Sequence, residues 1–140
     1  MSPPSQRPYR KFDSAVQKTR APIEDPVKFN QLMQEYAQSI GTFMMDLQKK
    51  KKRNEAAANR ALEIAEKLTE MEPQRGVPWS CKCQALYSLG RLSEAIEANK
   101  RALEIDPSDP DKWLLQGNML NALGKTKDAE VAFKRAKELA

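Results

Sequence analysis

The sequence predicts an all-α fold, a stack of antiparallel helix hairpins with about six helices. Three observations lead there. Apolar residues recur at three- and four-residue spacing in the N-terminal half, residues 77–140 repeat themselves at an interval of 34, and glycine and proline fall where such helices must end and begin. Length agrees, since 140 residues with 40% apolar side chains supply one core and a tail rather than two domains.

Residues 1–25 hold Pro3, Pro4, Pro8 and Pro22 among Arg7, Arg10, Lys11, Lys18 and Arg20, without a sustained apolar period. This composition predicts a disordered basic arm. Asp25-Pro26 then supplies a helix start, because the Asp side chain accepts from free amides and proline at the first helical position gives up no hydrogen bond. Behind it Phe29, Leu32, Met33, Tyr36, Ile40, Phe43, Met44 and Leu47 form an amphipathic stripe, so a helix is expected from about Val27 to about Gln48. Lys49 to Arg53 interrupt the stripe, and periodicity resumes through Ala58, Ala61, Leu62, Ala65, Leu68 and Met71. Residues 26–75 are therefore one long helix or a hairpin turned near Asn54. The hairpin is favoured because it buries both stripes.

Sliding the chain by 34 residues lays Trp79 on Trp113, Leu86 on Leu120, Leu89 on Leu123, Gly90 on Gly124, Ala95 on Ala129 and Ala102 on Ala136. Gly90 and Gly124 suit the left-handed residue that closes a helix. Ser93 is expected to cap the next helix, Val77-Pro78 and Asp109-Pro110 to open helices, and the small alanines to mark close helix approach.

These positions resemble the tetratricopeptide repeat family. Its aromatic, Leu-Gly, Tyr, Ala, Phe and Pro pattern falls on Trp79, Lys82-Cys83, Leu86, Ala95, Asn99 and Pro107, then on Trp113, Gln116-Gly117, Leu120, Ala129 and Phe133. Lys82, Gln116 and Asn99 depart from the pattern and are expected to loosen packing. Residues 76–140 are thus read as two repeats, and Ala61, Ala65 and Pro73 mark a degenerate half-repeat before them. The resemblance implies a TPR-like α-solenoid, a right-handed superhelical stack, and a non-catalytic module that binds another protein or peptide in a groove lined by the first helix of each repeat.

At 100° per residue, Trp79, Cys83 and Leu86 share one side of their helix, with Ser80, Gln84 and Tyr87 roughly opposite. One period on, Trp113, Gly117 and Leu120 pack, leaving Asp111, Leu114, Asn118 and Asn121 outward. These outward residues are the expected protein contacts, and Leu114 is the pointed one, being apolar on a polar face. Family members that grip chaperone C-termini use Lys and Asn at set positions. Here those positions hold Ser80, Gln84 and Leu114, with only Asn118 fitting, which argues against that ligand.

The formal charge is +5, concentrated in the first 60 residues, where 12 Lys/Arg face 6 Asp/Glu. Lys49, Lys50, Lys51, Lys52 and Arg53 are candidate contacts for an anionic partner or a nuclear import receptor. With the arm around Tyr9 and Phe12 they supply the alternative reading, a structural subunit of a larger, RNA-containing assembly. Neither a secretory signal nor a membrane span is present in the sequence, so a cytoplasmic protein without a membrane partner is expected, nuclear in a eukaryote if the basic run is used.

Catalysis is not expected. Histidine is absent, no glycine loop cradles phosphate, and Cys81 and Cys83 sit about 200° apart on one helix, so no metal or cofactor site is predicted. Behind Phe133 and Ala136 the last hairpin is expected to leave an apolar side uncovered, available for self-association or further repeats.

Overall fold

The computed structural model describes residues 22–140, so most of the expected arm over 1–25, with Tyr9 and Phe12, lies outside the described residues. Six helices follow in order: α1 Pro26–Lys49, α2 Glu55–Met71, α3 Gly76–Ser88, α4 Leu92–Ile105, α5 Pro110–Ala122 and α6 Thr126–Leu139. They pair as three hairpins stacked in sequence, with no strand among the described residues. The fold is an all-α solenoid of tetratricopeptide type.

Local chemistry sets each boundary. Asp25 Oδ1 accepts from the Lys28 amide at 3.1 Å, with Pro26 behind it at the first helical position. The long-helix alternative for residues 27–72 is absent. The chain turns over residues 50–54, where Lys51 adopts a positive φ of 50°. Asn54 ends that turn by accepting from the Ala57 amide at 3.0 Å while its Nδ2 donates to Asp46 at 2.9 Å. This couples the last turns of α1 to the start of α2.

Gly90 and Gly124 have φ of 75° and 79°, as the left-handed closing residue requires. The following amides, Arg91 and Lys125, each reach back to the carbonyls of Leu86 and Leu120 at 2.9 Å, which satisfies carbonyls that the helix end would orphan. One expectation fails here. Ser93 does not cap α4, because the helix begins at Leu92 and Ser93 already lies within its first turn, while Arg91 holds the cap position and forks onto Glu94. Similarly α3 starts at Gly76, with Arg75 as its cap, so Pro78 sits in the first turn, where it removes an amide that has no helical partner anyway.

The core is built where alanines let helices close up. Ala61, Ala95, Ala102 and Ala129 are completely buried, and Ala136 nearly so. Around them Leu68, Leu86 and Met119 are also inaccessible, each stabilising the fold by roughly 1.5–3 kcal/mol through lost apolar exposure. Both tryptophans occupy the same surroundings one repeat apart. Trp79 Nε1 donates to the Pro73 carbonyl at 2.9 Å and Trp113 Nε1 to the Pro107 carbonyl at 2.8 Å. Arg101 lies over the first ring at 5.3 Å and Arg135 over the second at 5.7 Å.

The departures from the repeat pattern do not loosen the packing. Asn99, 1% exposed, donates through Nδ2 to Gln116 Oε1 at 2.9 Å and lies 3.0 Å from the Lys112 carbonyl, so the two polar substitutions satisfy each other across the α4–α5 boundary. Lys82 lays its ammonium over Trp79 at 5.5 Å. The outer side of the last hairpin is also more polar than expected. Where α4 carries buried Ile96 and Leu103, the equivalent positions of α6 are exposed Glu130 and Lys137, leaving Val131 and Leu139 as its exposed large apolar side chains.

Candidate protein-binding site

α1, α3 and α5 are the first helices of the three hairpins. α1 and α3 are tied where the Tyr36 hydroxyl lies 2.9 Å from the Cys81 carbonyl and 2.7 Å from Gln84 Oε1, its one proton serving one acceptor at a time. Burial, with the nearby thiols, holds that phenol well above its ordinary range, so it stays protonated and bridging. The outward faces of α3 and α5 are the candidate strip. Tyr87, on α3, and Leu114, on α5, are 51% and 44% exposed, and Asp111, Asn118 and Asn121 are exposed on α5.

Two of the expected contacts sit differently. Ser80 is half-buried, with an inaccessible Oγ that finds no hydrogen-bond partner among the described residues. Gln84 is exposed but already meets Tyr36. In exchange the strip gains Val77, one period before Asp111 and among the most exposed large apolar side chains. The repeat interval points to Val77 once Asp111 is chosen. The apolar stripe places Tyr36 on the packing side of α1, but no sequence signal points to its hydroxyl's partner, a backbone group 45 residues away.

Asp111 is the only charged residue among these outward positions. Such a surface offers apolar area and amide hydrogen bonds rather than ion pairs. A concavity lies instead on the second helices. Between α4 and α6, above Trp113 and Leu120, an open groove of about 710 Å³ is walled by Ile96, Leu103 and Val131 and rimmed by charges of both signs, among them Glu104, Asp128, Lys100 and Arg135.

The basic run divides its roles. Lys50 pairs with Asp46 at 3.6 Å, and Arg53 Nη2 donates to the Ser88 carbonyl at 2.7 Å, fastening the first turn to the end of α3. Lys49, Lys51 and Lys52 are exposed. Hydrogen bonding from Asn54, helped by the neighbouring lysines, pulls the Asp46 carboxyl below its usual range.

Cys81 and Cys83 are both buried, although the helical wheel puts only Cys83 on the packing side. α3 is enclosed on several sides, so opposed thiols both meet protein. Burial pushes Cys81 up to about 11 and Cys83 up to about 12, which keeps both as neutral thiols. Among the described residues, no three cysteine or carboxylate side chains converge as a metal site.

The tetratricopeptide repeat family model matches residues 77–109. Among solved structures, the chain is similar to MamA MSR-1, at 24% identity and a TM-score of 0.56 over 74% of this chain and 56% of that one. MamA AMB-1 is 25% identical, with a TM-score of 0.56 over 72% of this chain and 52% of that one. MamA 41-end from Desulfovibrio magneticus RS-1 is 20% identical, with a TM-score of 0.56 over 96% of this chain and 90% of that one. The chain spans just over half the length of the first two. No curated protein matches it significantly.

Proposed function

We propose that this tetratricopeptide-type solenoid is a non-catalytic scaffold that holds a peptide or partner helix along the outward faces of α3 and α5. The observation that carries the reading is the exposure of Val77 and Tyr87 on α3 and of Leu114 on α5, among outward positions whose only charged residue is Asp111. Apolar side chains repeated on adjacent first helices offer anchor pockets for a ligand's alternate residues, and Asn118 and Asn121 supply donors and acceptors for its backbone. Gln84 contributes from the α1 side, where its bond to Tyr36 fixes the amide in place. Ser80 lines the floor rather than making a polar contact.

Affinity capture from native lysate with the wild type beside Leu114→Arg tests the reading. A charged guanidinium on an apolar anchor desolvates without a partner, so a specific set of captured proteins is lost from the variant. Recovery of the same set with both proteins would place the partner elsewhere.

A further inference from the structure

α1 packs on its neighbours through Phe29, Leu32, Tyr36, Ile40 and Phe43, all buried. Roughly opposite them around the helix lie Val27, Gln31, Gln34, Gln38, Gly41 and Met45, exposed apart from the half-buried Gly41. None of these six is charged. By contrast α2, α4 and α6 each carry between five and seven charged side chains, every one exposed. Charges are depleted where a partner covers a surface, because an ion buried there loses its hydration. The outer face of α1 has that composition over five turns.

The order of residues along the face selects the cover. Val27 and Met45 stand five turns apart on one line of the helix, at equal distances from position 36. Gln34 and Gln38 flank that midpoint, as do Gln31 and Gly41 farther out. Laid antiparallel on its own copy about a two-fold axis at the midpoint, the face therefore matches itself. Val27 meets Met45, Gln34 meets Gln38 as amide to amide, and Gln31 enters the space at Gly41, where a β-carbon would find nothing within 4 Å. The same axis brings Lys28 of one copy to the flank that holds Asp46 of the other. A parallel pair would instead set Lys28 against Lys28 and leave Gly41 facing Gly41. Nucleic acid or an anionic membrane would call for cations on this face, and it has none.

We propose that the outer face of α1 is a self-association surface, pairing antiparallel with α1 of a second copy about a two-fold axis at position 36. Five turns of paired helix lie at the low end of the roughly 1,200–2,000 Å² that specific interfaces bury, so the dimer is reversible, with a Kd on the order of 10–100 µM. Glu35 opposes it, since its carboxylate nears its counterpart beside the axis.

Sedimentation velocity of the full chain across that concentration range tests the proposal. The wild type should pass from monomer to dimer. Gly41→Arg, which fills the notch where its own chain leaves room, should keep its helicity by circular dichroism and dimerise at least about tenfold more weakly. Glu35→Gln should dimerise about twofold more tightly. Cysteine cross-linking reads the register, with Cys81 and Cys83 buried out of the way. Val27→Cys and Met45→Cys, each oxidised alone, should stay uncross-linked, and an equimolar mixture should form a covalent dimer. A chain that stays monomeric throughout overturns the proposal, as does a dimer that Gly41→Arg leaves unchanged. Cross-linking of Val27→Cys alone, or none in the mixture, overturns it too, because the copies would then meet in another register or through another surface.

Discussion

Gly117 and Phe133 are in such close register that a β-carbon on the glycine would sit 2.5 Å from Cε1 of the ring. One repeat earlier the same two positions hold Cys83 and Asn99, a larger residue facing a smaller one. The two hairpins fill one geometry with opposite distributions of bulk, which is how the repeat tolerates substitution. Gly117→Ala therefore carries two opposed effects. Overpacking against the ring costs about 1–3 kcal/mol, and helix propensity returns about 1 kcal/mol. Urea denaturation should show a net loss of about 1 kcal/mol in the wild-type background and a gain of similar size when Phe133→Ala has removed the ring.

The Asn99–Gln116 pair gives a second prediction. Asn99→Ala leaves the Gln116 carbonyl buried without its donor, and the expected loss is about 1–3 kcal/mol. Replacing both by apolar side chains of similar shape, Asn99→Leu with Gln116→Met, removes the buried polar atoms together without setting a ring against Cys83. That double variant should unfold within about 1 kcal/mol of the wild type, so a double-mutant cycle reads strong coupling.

Cysteine ionisation sets a pH dependence. Both thiols ionise in the unfolded chain near pH 8.5, whereas in the fold they are pushed up to about 11 and about 12. Below about pH 8.5 both states hold the protons and the thiols add no slope. Above it the unfolded chain ionises first, so stability falls as pH rises toward 11, by up to about 1.4 kcal/mol per pH unit for each thiol. Urea midpoints at pH 8 and pH 10 should converge in the Cys81→Ala, Cys83→Ala variant relative to the wild type. The same shifts predict native iodoacetamide reaction at least roughly a hundredfold slower than in urea.

The two closing glycines make a fourth prediction. Gly90→Ala and Gly124→Ala each force a β-carbon into left-handed backbone, with neither site crowded within 3.4 Å. Each should lower stability by about 1–2 kcal/mol, and by nearly equal amounts because the turns are equivalent.

Where the sequence expresses local chemistry or a fixed period, the structure was legible from it. Asp25-Pro26 marked the start of α1, the glycines marked the ends of α3 and α5, and Trp79 and Trp113 announced matching environments. Illegible features depend on which helix lies opposite. Asn99 and Gln116 each look like a packing defect alone and become a pair only once α4 meets α5. Cys81 falls on the outward side of a single helical wheel, yet α3 has neighbours there. Ser93 has a capping side chain, but the glycine turn brings the helix start to Leu92 first. Of the expected contacts, those on α5 were found exposed, while on α3 Ser80 was half-buried and Gln84 engaged by α1.

The most direct test of the scaffold reading is nuclear magnetic resonance with a peptide selected for binding from a displayed random library. Amide shifts on titration should concentrate at Val77, Tyr87, Leu114, Asn118 and Asn121 and vanish in Leu114→Arg. Shifts confined instead to Ile96, Leu103, Trp113 and Val131, in the groove between α4 and α6, would contradict the account.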